Sequence, residues 1–269
     1  KEGYEVTYID VTERGVIDLE QLKNAIRNDT VVISVMYVNN ETGVVQPIDE
    51  IAKMIEGKGI VLHTDAVQGV GKEMILPKKQ GIHALSAAAH KFYGPKGTGF
   101  LYLDQNYMIE KEITGGSQER NRRSGTENVH GIVGMAKALE IVYSDMEEEQ
   151  AKEKEMQIYL EEALKEEICN IKINCGNSRR ISSVVNITLE DCNVQTLMVA
   201  LDMEGICVSG GSACMSGAME TSHVLKAMGA SEEDLKSSIR VSIGRYNTKD
   251  EIDIFIQKLK EIVARERAK

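Results

Sequence analysis

Residues 31–38, VVISVMYV, form a nearly unbroken apolar run rich in β-branched side chains. A strand covered on both faces of a parallel sheet has this composition, because neither face meets water and no polar alternation is needed. The run is far too short to cross a bilayer. The polar turn NNETG (39–43) closes it, Pro47 starts a short helix through Ile55, and Gly57 and Gly59 stop that helix. Residues 60–62 begin the next strand, and the loop to Ile82 leads to a further strand that ends near Lys91. FLYL (100–103) adds an antiparallel strand. This alternation predicts an α/β domain with a mixed, mostly parallel sheet and helices on both faces.

The remaining segments fill in around that sheet. The opening 6–26 reads as a strand, a turn at Gly15, and a helix begun by Asp18, with Gln21 placed three residues on as a capping box requires. From 132 to 165 the chain is helical and heavily charged, which predicts one long connecting helix with a solvated face. Beyond it, 171–174 and 182–189 read as strands, 194–204 as a helix ended by Gly205, and 237–243 as a half-exposed strand. The last helix starts at Thr248 with Glu251 as its capping partner. Ile252, Phe255, Ile256, Leu259, Ile262 and Val263 form its apolar stripe. The predicted organisation is therefore a large-domain portion at 1–131, a connecting helix at 132–166, and a small α+β domain at 167–269.

With 269 residues the chain buries a substantial core. Its net charge of −10 argues against direct nucleic-acid binding and against an anionic membrane as a partner. The five cysteines (Cys169, Cys175, Cys192, Cys207, Cys214) contain no CxxC pair and cannot all pair, which fits free thiols in a reducing cytoplasm. Most are expected as small core residues, Cys207 among them. Cys214 is different: GGSACMSGA offers too little side chain to pack a structural thiol. The spacing of Cys207 and Cys214, with only His223 nearby, does not suit a metal site. The strings QGVGKE and GPKGTG do not fit a P-loop and read as turns.

The chemistry starts from Asp65 and Lys91. A strand ending in the acid and a parallel strand ending in the lysine would set both at the carboxyl edge of the sheet, where open α/β sheets bind ligands. An acid and a lysine meeting there suit pyridoxal phosphate: the amine forms a Schiff base with the aldehyde, and the carboxylate keeps a proton on the ring nitrogen. Spacing alone equally allows a buried acid and a surface lysine joined by an ordinary loop.

The wording of these segments is more specific. AHKFYGPKGTGFLYL (89–103) with HTDAVQ (63–68) resembles the class V branch of the fold-type I pyridoxal-phosphate enzymes, specifically the cysteine desulfurases of the NifS/IscS type. The resemblance recurs, in the family's order, in NNETGVVQPI (39–48), GGSQERNRRSGTENV (115–129), VSGGSACMSG (208–217) and SSIRVSIGRYNT (237–248). It implies the fold-type I architecture, a partial large domain followed by a small α+β domain, and pyridoxal 5'-phosphate as cofactor. It also implies roles. Lys91 is the Schiff-base lysine, His90 contacts the cofactor phosphate, and Asp65 pairs with the ring nitrogen. Gln68 and Asn40 are amides near the ring's phenolic oxygen, and Asn40 also lies near the substrate. Thr126 reaches the phosphate of a neighbouring subunit, which implies a homodimer. Arg240 clamps the substrate carboxylate with its planar fork, while Arg245 is structural. Cys214 takes sulfur from L-cysteine, leaving L-alanine and an enzyme persulfide. That persulfide passes to an acceptor protein such as an iron–sulfur scaffold, in cluster or thio-cofactor biosynthesis. A selenocysteine lyase on the same scaffold, and a catalytically silent homologue acting as an interaction module, are the alternative readings.

Two departures from the family pattern stand out. The family's phosphate-cradling turn and ring-stacking histidine precede the segment that matches Lys1, so the chain is expected to lack that N-terminal part. Ala88 stands where the family usually has a phosphate-binding serine, while Ser86 matches its other serine. One lost hydrogen bond to a charged phosphate costs about 1.5–3 kcal/mol.

Overall fold

A computed structural model of the chain describes residues 3–211 and 221–268. In order the elements are α1 (Leu19–Ala25), β1 (Val32–Met36), α2 (Ile48–Met54), β2 (Val61–Asp65), β3 (Ala84–Ala88), a 3₁₀ turn (Ala89–Phe92), β4 (Gly99–Leu103) and the short, kinked α3 (Gln118–Asn121). They continue with α4 (Val129–Ser144), α5 (Met146–Glu167), β5 (Ile171–Asn174), β6 (Val184–Leu189), α6 (Val194–Met203), α7 (His223–Ala227), α8 (Glu232–Lys236), β7 (Ser238–Ser242) and α9 (Lys249–Arg267).

The chain divides into two compact units that are discontinuous in sequence. One holds Arg27–Tyr37 and Pro47–Met146, the other Lys1–Ile26, Val38–Gln46 and Glu147–Lys269. The sequence reading cuts the chain in order at 131 and 166. The segment 38–46 instead clusters with the later residues, because its backbone bonds to 179–181: Val45 N donates to Arg179 O and Ile181 N to Gly43 O, each at 2.9 Å. Arg14 likewise donates to Asn177 O at 2.6 Å and accepts from Ser178 Oγ at 2.8 Å.

In the first of these units the sheet order is β1-β2-β3-β4, with β1, β2 and β3 parallel and β4 antiparallel. This is the mixed, mostly parallel sheet that the sequence predicts. One face is well buried, through Ile33, Leu62, Thr64, Leu85 and Ala87. On the other face Val32 (53%), Met36 (41%) and Leu101 (49%) are exposed. The expectation of a strand buried on both faces therefore fails for β1, whose alternate positions Val32, Ser34 and Met36 are exposed. The 132–166 stretch is not one helix either. It is divided between α4 and α5, with Asp145 closing α4.

In the second unit β5, β6 and β7 form an antiparallel sheet. Its core joins Val185, Ile187 and Leu189 of β6 with Met156, Leu160 and Leu164 of α5 and the stripe of α9. All six stripe residues are buried, and the Thr248–Glu251 capping box is formed. The solvated face expected for the charged helix thus covers only part of α5. The opening segment makes only a bridge between Val11 and Ile17 around the Gly15 turn, not the strand expected there. Asp18 does cap α1, but the Gln21 side chain donates to Asp10 at 2.9 Å instead of closing a capping box.

Candidate active site

Asp65 is the last residue of β2, in register with Met36 on one side and Ser86 on the other. Its Oδ1 accepts from Val67 N at 3.0 Å, and its carbonyl accepts from Tyr37 N at 2.7 Å, so the end of the strand is pinned to its neighbour. The chain then turns: Gly69 N and Val70 N both donate to Ala66 O at 2.9 Å, which sets Gln68 half-buried just past the strand. β3 runs parallel beside β2 and ends at Ala88, and the 3₁₀ turn that follows carries His90 and Lys91. Ala89 and Phe92 bury the base of this turn and leave His90 and Lys91 exposed. Tyr93 closes it with φ +64°, and Gly94 N donates back to Ala89 O at 2.8 Å. A Cβ at Gly94 would lie 2.9 Å from Ala89 Cβ and 3.0 Å from Ala89 O, so a side chain there would push the turn apart.

Asp65 and Lys91 therefore stand at the carboxyl edge of adjacent parallel strands, both reachable by a ligand. The alternative of a buried acid does not hold, since Asp65 is exposed. An amine on a short rigid turn and a carboxylate on the next strand end are the two groups that a pyridine aldehyde with a basic ring nitrogen requires. Ala88 brings no hydroxyl to this edge.

The open face of the same sheet carries a polar row that the sequence reading missed. The His63 ring shares hydrogen bonds with the Ser34 hydroxyl at 2.8 Å (Nδ1) and the Ser86 hydroxyl at 3.3 Å (Nε2). Partial burial holds its pKa below the ordinary histidine value, against the opposing field of Asp65. His63 lies two residues before Asp65, so strand alternation already puts both on one face; that signal was available. Thr126 lies exposed in the loop before α4, where Arg123 bonds Glu119 at 3.1 Å and the carbonyl of Gly125 at 3.1 Å.

Asn40 and Arg240, both in the other unit, are brought together. Arg240 on β7 donates from Nη1 to Asn40 O at 2.8 Å and from Nη2 to Ser209 Oγ at 3.3 Å. Backbone bonds between Ser209 and Arg240 fix the strand from which the side chain leaves. Asn39 Oδ1 holds the turn by accepting from Glu41 N and Thr42 N at 2.9 and 3.0 Å. Arg245 pairs with Glu149, and its carbonyl accepts from Lys152 Nζ at 2.7 Å, which matches the structural part expected of it.

Cys214 lies outside the described residues. Cys169, Cys175, Cys192 and Cys207 are free thiols. Cys192 is buried and Cys175 partly so, and burial raises the pKa of both. Cys207 is exposed, a correction to its expected place in the core; its apolar neighbours Ile206 and Val208 are only half-buried.

The profile of the aminotransferase class-V family matches residues 1–255. A cysteine desulfurase IscS of Clostridium botulinum is 42% identical over 269 residues, covering 99% of this chain and 68% of the relative. Another, from Dictyoglomus turgidum, is 40% identical over 267 residues with the same coverage. Among solved structures, a NifS-like protein has a TM-score of 0.90 at 34% identity, covering 98% of this chain and 69% of that one. A NifS-like protein from Rickettsia africae has a TM-score of 0.88 at 35% identity, covering 95% and 69%. The chain thus spans about two thirds of the length of these relatives. These likenesses bear out the fold-type I architecture and the pyridoxal-phosphate dependence implied by the motifs. The chain belongs to the class-V aminotransferase family, within its branch of cysteine desulfurases.

Proposed function

We propose that the chain carries out the cysteine desulfurase reaction, with Lys91, Asp65 and Cys214 as its working groups. The observation that carries this reading is the placing of Asp65 and Lys91 at the ends of adjacent parallel strands, both exposed. When bound, pyridoxal phosphate supplies an electron sink that weakens the bonds around the substrate's α-carbon. Lys91 Nζ would hold the cofactor at its aldehyde carbon and, as a free amine, would carry a proton away from the substrate Cα. The Asp65 carboxylate would accept a hydrogen bond from the protonated ring nitrogen. Gln68 and Asn40 would hold the ring's phenolic oxygen, and His90 the phosphate. Arg240, already oriented by its bonds to Asn40 and Ser209, binds the substrate carboxylate. Cys214 as thiolate attacks the substrate sulfur: an S–S bond forms, the Cβ–S bond breaks, and the carbon skeleton leaves as alanine after protonation.

The persulfide then passes to an acceptor protein, such as a scaffold for iron–sulfur clusters. One of the solved relatives is described as SspA in complex with cysteine, at a TM-score of 0.77 and 33% identity. A homodimer that shares Thr126 across subunits is part of the reading. Exposed apolar Val129 and Val133, just beyond Thr126 on α4, support it. Free thiols at the described cysteines support a reducing, cytoplasmic setting. No helix among the described residues is long and apolar enough to cross a membrane.

The test is spectroscopic and chemical. The chain reconstituted with pyridoxal phosphate is expected to show the absorbance band of a lysine-bound cofactor, and Lys91→Ala is expected to remove it. Alanine release from cysteine that persists in Cys214→Ser would refute the persulfide step.

A further inference from the structure

Four polar side chains of the β5-β6-β7 sheet have no part in the reading above. Asn174 of β5, Asn186 and Thr188 of β6, and Ser238 of β7 are 6%, 1%, 1% and 4% exposed. Buried polar groups are costly unless they are bonded, and these bond one another. Asn174 Nδ2 donates to Asn186 Oδ1 at 2.7 Å and to Thr188 Oγ1 at 2.8 Å. Ser238 Oγ donates to Asp234 O at 2.6 Å, so in its 2.8 Å contact with Thr188 the threonine hydroxyl is the donor. The Asn186 oxygen is thus engaged by Asn174, and its Nδ2 donates to Glu41 O at 3.2 Å. A flipped Asn186 amide would set nitrogen against nitrogen and oxygen against oxygen, and would lose both bonds.

Asn186 is paired with Asn174 on one side and with Arg240 of β7 on the other, so the three side chains leave the sheet in one cross-strand row. The turn at 39–43 meets this row with two successive carbonyls: Asn40 O accepts from Arg240 Nη1 at 2.8 Å, and Glu41 O accepts from Asn186 Nδ2. Other bonds fix the turn's amides through Asn39 Oδ1 and the Glu41 carboxylate through Ser222 Oγ, the last at 2.5 Å. We propose that Asn186 is a positioning residue for the substrate clamp: by holding Glu41 O it fixes the backbone that presents Asn40 O, and with it the direction of the Arg240 guanidinium. This rests on the reading of Arg240 as the group that binds the substrate carboxylate. A planar fork that binds a carboxylate through two parallel bonds tolerates little rotation, so it needs such a fixed support.

The experiment compares Asn186→Ala and the isosteric Asn186→Leu in the full chain, after far-UV circular dichroism confirms folding. Ile262→Val, in the core that α9 shares with α5 and β6, is the control for lost stability. Phenylglyoxal labelling is followed by mass spectrometry as the rate at Arg240 divided by the rate at exposed Arg265, an internal reference. Both Asn186 variants are expected to raise the ratio about threefold or more, and Ile262→Val to stay within about twofold of the parent. In the chain loaded with pyridoxal phosphate, both Asn186 variants should raise KM for cysteine about fivefold, the worth of one hydrogen bond, with kcat within about twofold. Ratios unchanged in the Asn186 variants, an equal rise in Ile262→Val, or an unchanged KM in an active parent each overturn the proposal. If Asn186→Ala does not fold, Asn186→Leu decides alone. A raised ratio where the parent itself releases no alanine from cysteine leaves the positioning of Arg240 standing and removes the desulfurase reading.

Discussion

Arg180 and Glu161 form an ion pair at 2.8 Å with side chains only 5% and 15% exposed. Arg180 belongs to the short segment whose backbone bonds to residues 43–45, and Glu161 projects from α5, so the pair ties the turn carrying Asn40 and Glu41 to the helical core. The perturbation is Glu161→Gln, which keeps the shape and one acceptor oxygen but removes the charge. Exposed ion pairs contribute about 0–1 kcal/mol, and this pair is too buried for that class. Breaking a buried pair costs about 3–5 kcal/mol, because the remaining ion has lost its water and its partner. Arg180 Nε and Nη1 find no hydrogen-bond partner among the described residues, so little else offsets the guanidinium's desolvation. The residual exposure of Glu161 sets the loss at the lower end, about 3 kcal/mol. Urea unfolding followed by far-UV circular dichroism reads it: with a slope of about 1–3 kcal/mol per molar, the midpoint should fall by about 1–3 M. An Arg180→Met/Glu161→Leu double variant should recover to within about 1 kcal/mol of the parent, since it buries no charge at all. A Glu161→Gln midpoint within about 0.3 M of the parent would refute the reasoning.

Three further outcomes are expected. Leu259→Ala on α9 empties a fully buried position in the core shared with α5 and β6, and should cost about 2–5 kcal/mol in the same urea assay. Gly71→Ala places a Cβ 2.8 Å from Val142 Cγ2's sister methyl Cγ1 and 3.0 Å from Phe92 Cβ at φ +82°; it should cost at least about 1–2 kcal/mol and, by pushing Phe92, weaken pyridoxal-phosphate uptake in an absorbance titration. His63 is held neutral by burial, so the unfolded chain takes up a proton near pH 6.5 before the folded one does. Stability should therefore drop as pH falls through the range below about 6.5, until the folded ring also protonates, and His63→Asn should flatten that slope in melts across pH 5–7.5.

What was legible in the sequence is what local pattern dictates. The α9 stripe and its Thr248–Glu251 cap follow from helical period and capping chemistry and need no tertiary knowledge. Asp65 and Lys91 at strand ends follow from an apolar run, a turn and the parallel crossover. The two faces of β1 could not be read this way: β-branched composition says that a strand is apolar, not that something covers each face. Cys207 was misplaced for the same reason, since apolar neighbours do not guarantee burial. The bonds that hold Asn40 to Arg240 and Glu41 to Ser222 are long-range. Arg240 and Asn40 are 200 residues apart, and Ser222 and Glu41 are 181 apart, so no spacing rule joins them. The resemblance in the NNETG and SSIRVSI motifs identified Asn40 and Arg240 as worth watching; their contact came only with the fold.

The turn at 39–43 is sewn to β7 through Asn40 O, to β6 through Glu41 O, to the start of α7 through the Glu41 carboxylate, and to Ile181 N through Gly43 O. Each attachment has its own fixed partner, and Asn40, Glu41 and Gly43 supply them within four residues. Such a stretch can accept a changed letter at the cost of one stitch, but an inserted or deleted residue would put every later stitch out of step. Its length, more than its spelling, is therefore the inherited quantity, and a chain that keeps the spelling while altering the count should lose the whole seam at once.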